Sequence, residues 1–266
     1  DSSDRSNNSC RTSYTYIGYG WKANGSGSAN TAGSINTTAT SANTTGGFSI
    51  VSWTGDDNSS ATLGHGLGAV PKMIITKGRT YASSWATYHN KITADYWLQM
   101  CETDAQGDVN TIWNDTEPTS TLFTVGSSNQ VNDDYTYIAY VFAEKQGFSK
   151  FGSYTGNGHA TNGPYVYTGF QPAWIMVRRA VGGTGNWMVV DNKRPGYNQE
   201  DNYKYDFKIN NTDAERTSVT SADFFSNGFK VRTDSTDWNT DGHTYVYMAF
   251  AHAPFVNSEG VPCNAK

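Results

Sequence analysis

The stretch YTYIGYGWK at Tyr14–Lys22 decides how the chain is read, because its pattern returns as YTYIAYVFAE at Tyr135–Glu144 and as HTYVYMAFAH at His243–His252. With Tyr16, Tyr137 and Tyr245 in one column, Ile17, Ile138 and Val246 share a face with Tyr19, Tyr140 and Met248, then with Trp21, Phe142 and Phe250. The opposite face carries Gly18, Ala139 and Tyr247, then Gly20, Val141 and Ala249. Side chains alternate along a strand, so the large column is expected to face a core. The mostly small column is expected where a neighbouring sheet, loop or chain comes close. The opening stretch thus reads as the last strand of a third, upstream copy within a longer polypeptide.

Working outward from these strands, the whole chain is an internal repeat. GGFSIVSWTG (Gly46–Gly55) returns as GFSKFGSYTG (Gly147–Gly156), and GHGLGAVPKMIITK (Gly64–Lys77) as YTGFQPAWIMVRR (Tyr167–Arg179), with Gly68 matching Gly169 and Pro71 matching Pro172. Trp85 and Trp187 also correspond, and core packing is expected of both. The runs between turn residues are short and rich in β-branched and aromatic residues, with no long helical periodicity. The expected fold is all-β, two tandem β-sandwich (jelly-roll-like) units. The first unit is placed at 47–145 and the second at 146–257, after the opening strand (1–23) and a Gly/Ser/Asn/Thr-rich segment (24–46), with a C-terminal tail at 258–266. Within 24–46 the Gly/Ser half reads as a flexible linker, and SINTTATSAN as an edge strand or an oligomer contact. TSADFFSNGF (Thr220–Phe229) suggests one helical turn before its Asn-Gly turn.

Composition narrows the function classes. The 266 residues are 36% hydrophobic and only 16% charged, with 27 glycines and a net charge of -5. The polarity comes from Ser, Thr, Asn and Gly, as in many extracellular and virion β-proteins. Nothing in this charge balance suits nucleic acid, and no apolar run has the length of a membrane span. The three cysteines, Cys10, Cys101 and Cys263, show no C-x-x-C spacing. Cys101 reads as a buried free thiol. Cys10 and Cys263 pair with each other, pair across chains, or stay free, and the sequence leaves these alternatives open.

Motifs for catalysis or metal binding do not emerge. GHGLG (Gly64–Gly68) and TGNGHATNG (Thr155–Gly163) superficially resemble phosphate loops, but a strand rather than a helix follows each. His65, His89, His159, His243 and His252 are scattered without ligand spacing and read as surface or turn residues. The acidic loops at Gly55–Ser60, Asp104–Asn110 and Val131–Thr136 lack calcium-loop spacing and read as solvated turns. No catalytic residue, metal site or cofactor is expected. Exposed aromatics beside amides and carboxylates suit saccharides, which bind by stacking and hydrogen bonding. Trp97, Trp113, Tyr165, Tyr167 and Trp238 are such aromatics, as are those of YNQEDNYKYDF (Tyr197–Phe207), which has no counterpart in the first copy. The candidate ligand-binding residues are therefore Tyr197, Asn198, Asp201, Tyr203, Tyr205 and Trp238.

The blocks GFSIVSWTG, GHGLGAVPKMIITK, WNDTEPTS, YTYIAYVFAEKQGFSKFGSYTGNG, GPYVYTGFQPAWIMVRR, NGFKVR and YVYMAFAHAPFVNSEGVP, in this order, cover the chain from about Tyr14. They resemble an uncharacterised repeat family at the C-terminal ends of tail and fibre proteins of tailed bacteriophages, often marine ones. Cys263 departs from the family's usual ending. The resemblance implies a virion surface component without catalytic residues, a homo-oligomer (a trimer by analogy with phage fibres), and contact with a host glycan or protein receptor. Two other readings stand beside it: an architectural virion or filament subunit that binds no receptor, and a polysaccharide depolymerase.

Overall fold

A computed structural model describes residues 16–194, 198 and 204–253. The first unit runs β1 (Ala39–Asn43), β2 (Phe48–Thr54), β3 (Ala61–Gly64), β4 (Pro71–Gly78), β5 (Ala86–His89), β6 (Tyr96–Gln99), β7 (Gly107–Asp108), the one-turn helix α1 (Asn110–Trp113), β8 (Leu122–Val125) and β9 (Thr136–Ala143). The second runs β10 (Ser149–Thr155), β11 (Tyr165–Tyr167), β12 (Pro172–Val181), β13 (Trp187–Asp191), β14 (Lys204–Lys208), β15 (Arg216–Val219), β16 (Ala222–Phe225), β17 (Gly228–Val231) and β18 (Thr244–Ala251).

Each unit has a large antiparallel sheet faced by a small one. The large sheets are ordered β1-β2-β9-β4-β5-β6-β7 and β10-β18-β12-β13-β14-β15, and the small ones β3-β8 and β11-β17-β16. The shared order β2-β9-β4-β5-β6 and β10-β18-β12-β13-β14 is the internal repeat in three dimensions. Both copies break register at the same place, between Pro71 and Met73 against β9 and between Pro172 and Trp174 against β18. Proline has no N–H for the ladder, so it sits where the ladder is interrupted. Gly68 and Gly169, just upstream of those prolines, both have positive φ (65° and 85°), a conformation glycine adopts without penalty.

A second duplicated device closes the end of each unit. Asn132, fully buried, accepts from the Asp56 N–H (3.1 Å) and donates to Asp56 Oδ1 and to the Asn58 carbonyl (both 2.9 Å). Asn239, also fully buried, does the same with Asn157 and the His159 carbonyl. Tyr137 donates its hydroxyl to the Asn129 carbonyl (2.8 Å) and accepts from the Asp133 N–H, while Tyr245 repeats this with Thr236 (2.9 Å) and Thr240. A tyrosine hydroxyl tying a strand to backbone a few residues upstream is a known corner device of β-sandwiches. Asn239→Ala removes both donor and acceptor of a buried clamp. It is expected to cost about 1–3 kcal/mol in denaturant unfolding, because a buried polar group left unpaired keeps its desolvation penalty.

The strands expected from the sequence are present, with three differences. SINTTATSAN does supply an edge strand, since β1 pairs with β2 along its length. The Gly/Ser half before it, however, folds against this strand: Ser28 bridges Thr40, the Asn24 N–H donates to Ser41 Oγ, and the Ser41 hydroxyl donates to the Gly25 carbonyl. TSADFFSNGF is the β16–β17 hairpin and not a helical turn, with Phe224 opposite Phe229. Alternation in ADFF, followed by Asn-Gly, wins over the local helical preference.

The third difference concerns which core the large column of the final strands faces, while the small column lies under a neighbouring sheet as expected. Both faces are buried. In β9 the small column (Ala139, Val141) and Tyr137 lie in a core between the seven-stranded sheet and β3-β8, with Trp53, Leu63 and Phe123. In β18, Tyr245, Tyr247 and Ala249 lie in the matching core under β11-β17-β16. The large column enters a third core, between the two large sheets, where Phe142 meets Phe151, Trp174, Met248 and Phe250. The molecule is therefore four layers, small–large–large–small, and the two units share their middle core. Trp187 is buried in it, and half-buried Trp85 packs against it from Tyr140.

Candidate ligand-binding surface

The outermost layer of the second unit carries the largest group of exposed aromatic rings among the described residues. In β11 only Val166 points inward, so Tyr165 and Tyr167 stand outward at 46% and 64% exposure. In β16, Ala222 and Phe224 go into the core and Phe225 is left outward at 42% exposure. The ladders set these residues in two rows, Tyr165–Lys230–Asp223 and Tyr167–Gly228–Phe225. Gly228 matters here because a Cβ at that position would lie 2.2 Å from the Val166 carbonyl oxygen and 2.8 Å from the Tyr165 hydroxyl. Its bare backbone lets the Tyr165 ring lean across β17 toward Phe225, edge to face with centroids 5.8 Å apart.

Polar groups rim these rings. The Tyr165 hydroxyl donates to Asn227 Oδ1, and Lys230 Nζ donates to Asn162 Oδ1. Arg232 pairs with Asp223 at 3.2 Å. Partial burial, and secondarily the neighbouring Tyr167, raise the Tyr165 phenol above its ordinary pKa, so it is a hydrogen-bond donor at neutral pH. Flat apolar faces beside amides, an ammonium and an ion pair can stack on a sugar ring and bond its hydroxyls.

The residues proposed from sequence fare unequally. Tyr197, Asp201 and Tyr203 lie outside the described residues. Asn198 is brought to the patch: its amide donates to the Phe224 carbonyl and accepts from the Phe224 N–H at 2.6 Å, closing the free edge of β16 beside Phe225. Tyr205 is half-buried on β14. Trp238 is not a contact residue. It has no exposed surface and packs in the second unit's core, so the expectation that it forms part of a binding surface is corrected. Of the other aromatics considered, Trp113 is buried and Trp97 half-buried against the first unit's core, whereas Tyr165 and Tyr167 are free to stack. Phe225 escaped sequence reading because its segment was taken for a helical turn, whereas Asn227 was read only as a turn residue and Lys230 only as part of a strand. The available signal was the outward position next to an Asn-Gly hairpin.

Two histidines also depart from expectation. His65 and His89 are 0% and 1% exposed, not surface residues. His65 accepts from the Leu67 N–H and bonds the Thr119 carbonyl, and burial lowers its pKa. Cys101 is half-buried and free. Among the described residues no three His, Cys, Asp or Glu side chains converge in a metal-binding arrangement, and no helix is long and apolar enough to cross a membrane.

Fold and surface together define an all-β protein of two fused sandwiches with an exposed aromatic face on the second. The chain belongs to the family described as "Domain of unknown function (DUF7483)", whose match spans residues 1–254 and so takes in the opening stretch and both units. No curated protein and no solved structure matches it.

Proposed function

We propose that this chain is a non-catalytic recognition module of a virion surface, the C-terminal part of a phage tail or fibre protein, and that it grips a host glycan. The observation that carries the binding reading is the outward row Tyr167–Gly228–Phe225 with Tyr165 leaning over it. The virion setting is supported by the ordered sequence blocks alone. Assembly as a homo-oligomer, a trimer by analogy with fibres, suits such a role because repeated weak sites gain avidity.

Saturable binding on a glycan array is the expected result for the intact chain. Tyr167→Ala should weaken that binding roughly tenfold, the loss typical of truncating one aromatic anchor. Its melting temperature should stay unchanged, because Tyr167 is 64% exposed. Failure of a well-assembled protein to bind any glycan or host cell would favour the architectural role. Release of sugar from the array would make it a depolymerase.

A further inference from the structure

A cleft of about 370 Å³ opens on the seam between the two units and shares no residue with the aromatic face. The first unit lines it with Lys72, Asn90, Lys91 and Glu144, and the second with β10 and Tyr247. The two contributions are tied together at His89. Its Nε2–H donates to the Tyr247 carbonyl at 3.1 Å, and its Nδ1 accepts from the Lys91 N–H at 3.2 Å. The Asn90 N–H donates to the Lys72 carbonyl at 2.9 Å. Neither unit alone forms this cleft.

Tyr247 supplies its most specific group. In the first unit Ala139 stands opposite Val51, whereas at the matching place in the second Tyr247 stands opposite Gly152. A Cβ on Gly152 would lie 2.6 Å from the Tyr247 hydroxyl oxygen, so the bare backbone lets the phenol lie over β10, the edge strand of its sheet. Tyr247 is only 4% exposed, yet among the described residues its hydroxyl has no hydrogen-bond partner. Burial, and secondarily the Glu144 charge, raise its pKa, so it keeps its proton at neutral pH. Asn90 Oδ1 is also buried and without a donor among the described residues. Three ammonium groups surround the one carboxylate of the cleft. Glu144 is already engaged by Lys150 at 2.7 Å and by the Phe151 N–H at 3.3 Å. Lys72 and Lys91 pair with no carboxylate among the described residues. The cleft therefore holds two spare positive charges and a spare phenol donor beside one spare acceptor. Buried groups left unpaired keep their desolvation penalty, and a ligand that pairs them relieves it.

We infer that this cleft binds an acidic sugar, whose carboxylate is held by Lys72, Lys91 and the Tyr247 hydroxyl while a ring hydroxyl donates to Asn90 Oδ1. Charge-assisted hydrogen bonds from the ammoniums select the acid. The amide oxygen needs a hydroxyl donor, which a sugar acid carries and sulfate does not. The volume is near the lower end of small-molecule pockets, room for a sugar residue and not for a folded partner. The inference rests on the glycan reading for its class of ligand and on none of the residues of the aromatic face.

The test is calorimetric titration of the intact chain with a panel of uronic and sialic acids, their neutral counterparts and sodium sulfate. At least one sugar acid should bind saturably, roughly tenfold more tightly than its neutral counterpart and than sulfate. Added salt should weaken that binding. Lys91→Gln, at an exposed position, and Tyr247→Phe, which keeps the ring against Phe229 and removes only the hydroxyl, should each weaken it roughly tenfold. Tyr167→Ala should leave it unchanged. No binding of any sugar acid, equal binding of acids and neutral sugars, or sulfate binding as tightly as the acids overturns the inference. So does acid binding that Tyr167→Ala weakens and the cleft variants do not. If neutral glycans bind and the acids gain nothing, the cleft assignment fails while the glycan reading stands.

Discussion

Phe250→Ala is expected to lower the melting temperature of both units together. Its ring lies against Trp21, Phe148 and Trp174, with centroids 5.5 to 5.8 Å away, and against Phe151 and Phe142 at 6.3 and 6.4 Å. These partners come from the opening segment, the first unit and the second. Truncation removes the transfer free energy of the ring and leaves a cavity that aromatic neighbours cannot collapse into, a loss of about 3–5 kcal/mol. For a chain of this size that corresponds to a melting shift on the order of 10 °C. Calorimetry should show the whole transition moving. A matched substitution, Phe229→Ala, empties the second unit's own core and should destabilise that unit first. If Phe250→Ala moved only the second unit's transition, the middle core would not be the joint between the copies.

Acid should weaken the same joint through His89. Its Nε2–H donates to the Tyr247 carbonyl of the other unit at 3.1 Å, and its Nδ1 accepts from the Lys91 N–H at 3.2 Å, so the ring is held neutral. Burial lowers its pKa from 6.5 to about 4, against the opposing effect of the Tyr247 carbonyl and with a smaller push from the Lys91 charge. Once unfolded, the imidazole takes up a proton below about pH 6.5, whereas the folded one resists until about pH 4. Between those values the unfolded state binds more protons, and stability falls as pH falls. The contribution is fully present above pH 6.5 and gone below about pH 4, about 3 kcal/mol in all. Urea midpoints measured from pH 7.5 to 4 should decline through this window. His89→Gln, which keeps a donor to Tyr247 and cannot titrate, should flatten most of the slope and leave the part due to His65. An unchanged slope in that variant would show that His89 is already solvated or charged in the folded protein.

Alternation, turn residues and the repeat itself were enough to read the all-β class and the central strands of both units from sequence, whereas short strands such as β3, β11 and β14 to β16 were not picked out. The matched prolines and glycines even marked where the ladders break. What alternation cannot tell is what covers each face. Ala139 and Val141 were read as lying where a neighbouring sheet, loop or chain comes close, and the structure shows which: the small sheet β3-β8, whose Leu63 and Phe123 share their core. Tyr140 and Phe142 were rightly placed toward a core, but that core belongs to both copies and is created only when the chain folds back on itself. The proposed binding surface was half legible. Tyr165, Tyr167 and Asn198 were in view, whereas Trp238 sat among Asp and Asn residues that suggested exposure. Those polar neighbours turn out to serve buried clamps: Asp237 bonds Asn186, and Asn239 bonds Asn157.

The shared middle core also bears on how the two halves can change over generations. After a duplication, each copy is ordinarily free to drift alone. Here a new side chain at Phe142 alters the shape that Phe250 and Trp174 must fit, so the inner faces of both copies are inherited as one unit. The outer sheets, separated from that centre by a full layer, escape the coupling. In one half residues 33–35 came to lie against Thr62 of β3, and in the other a row of bare rings appeared. A substitution in the outer layers can therefore be absorbed by one unit alone, whereas one in the middle core must be absorbed by both.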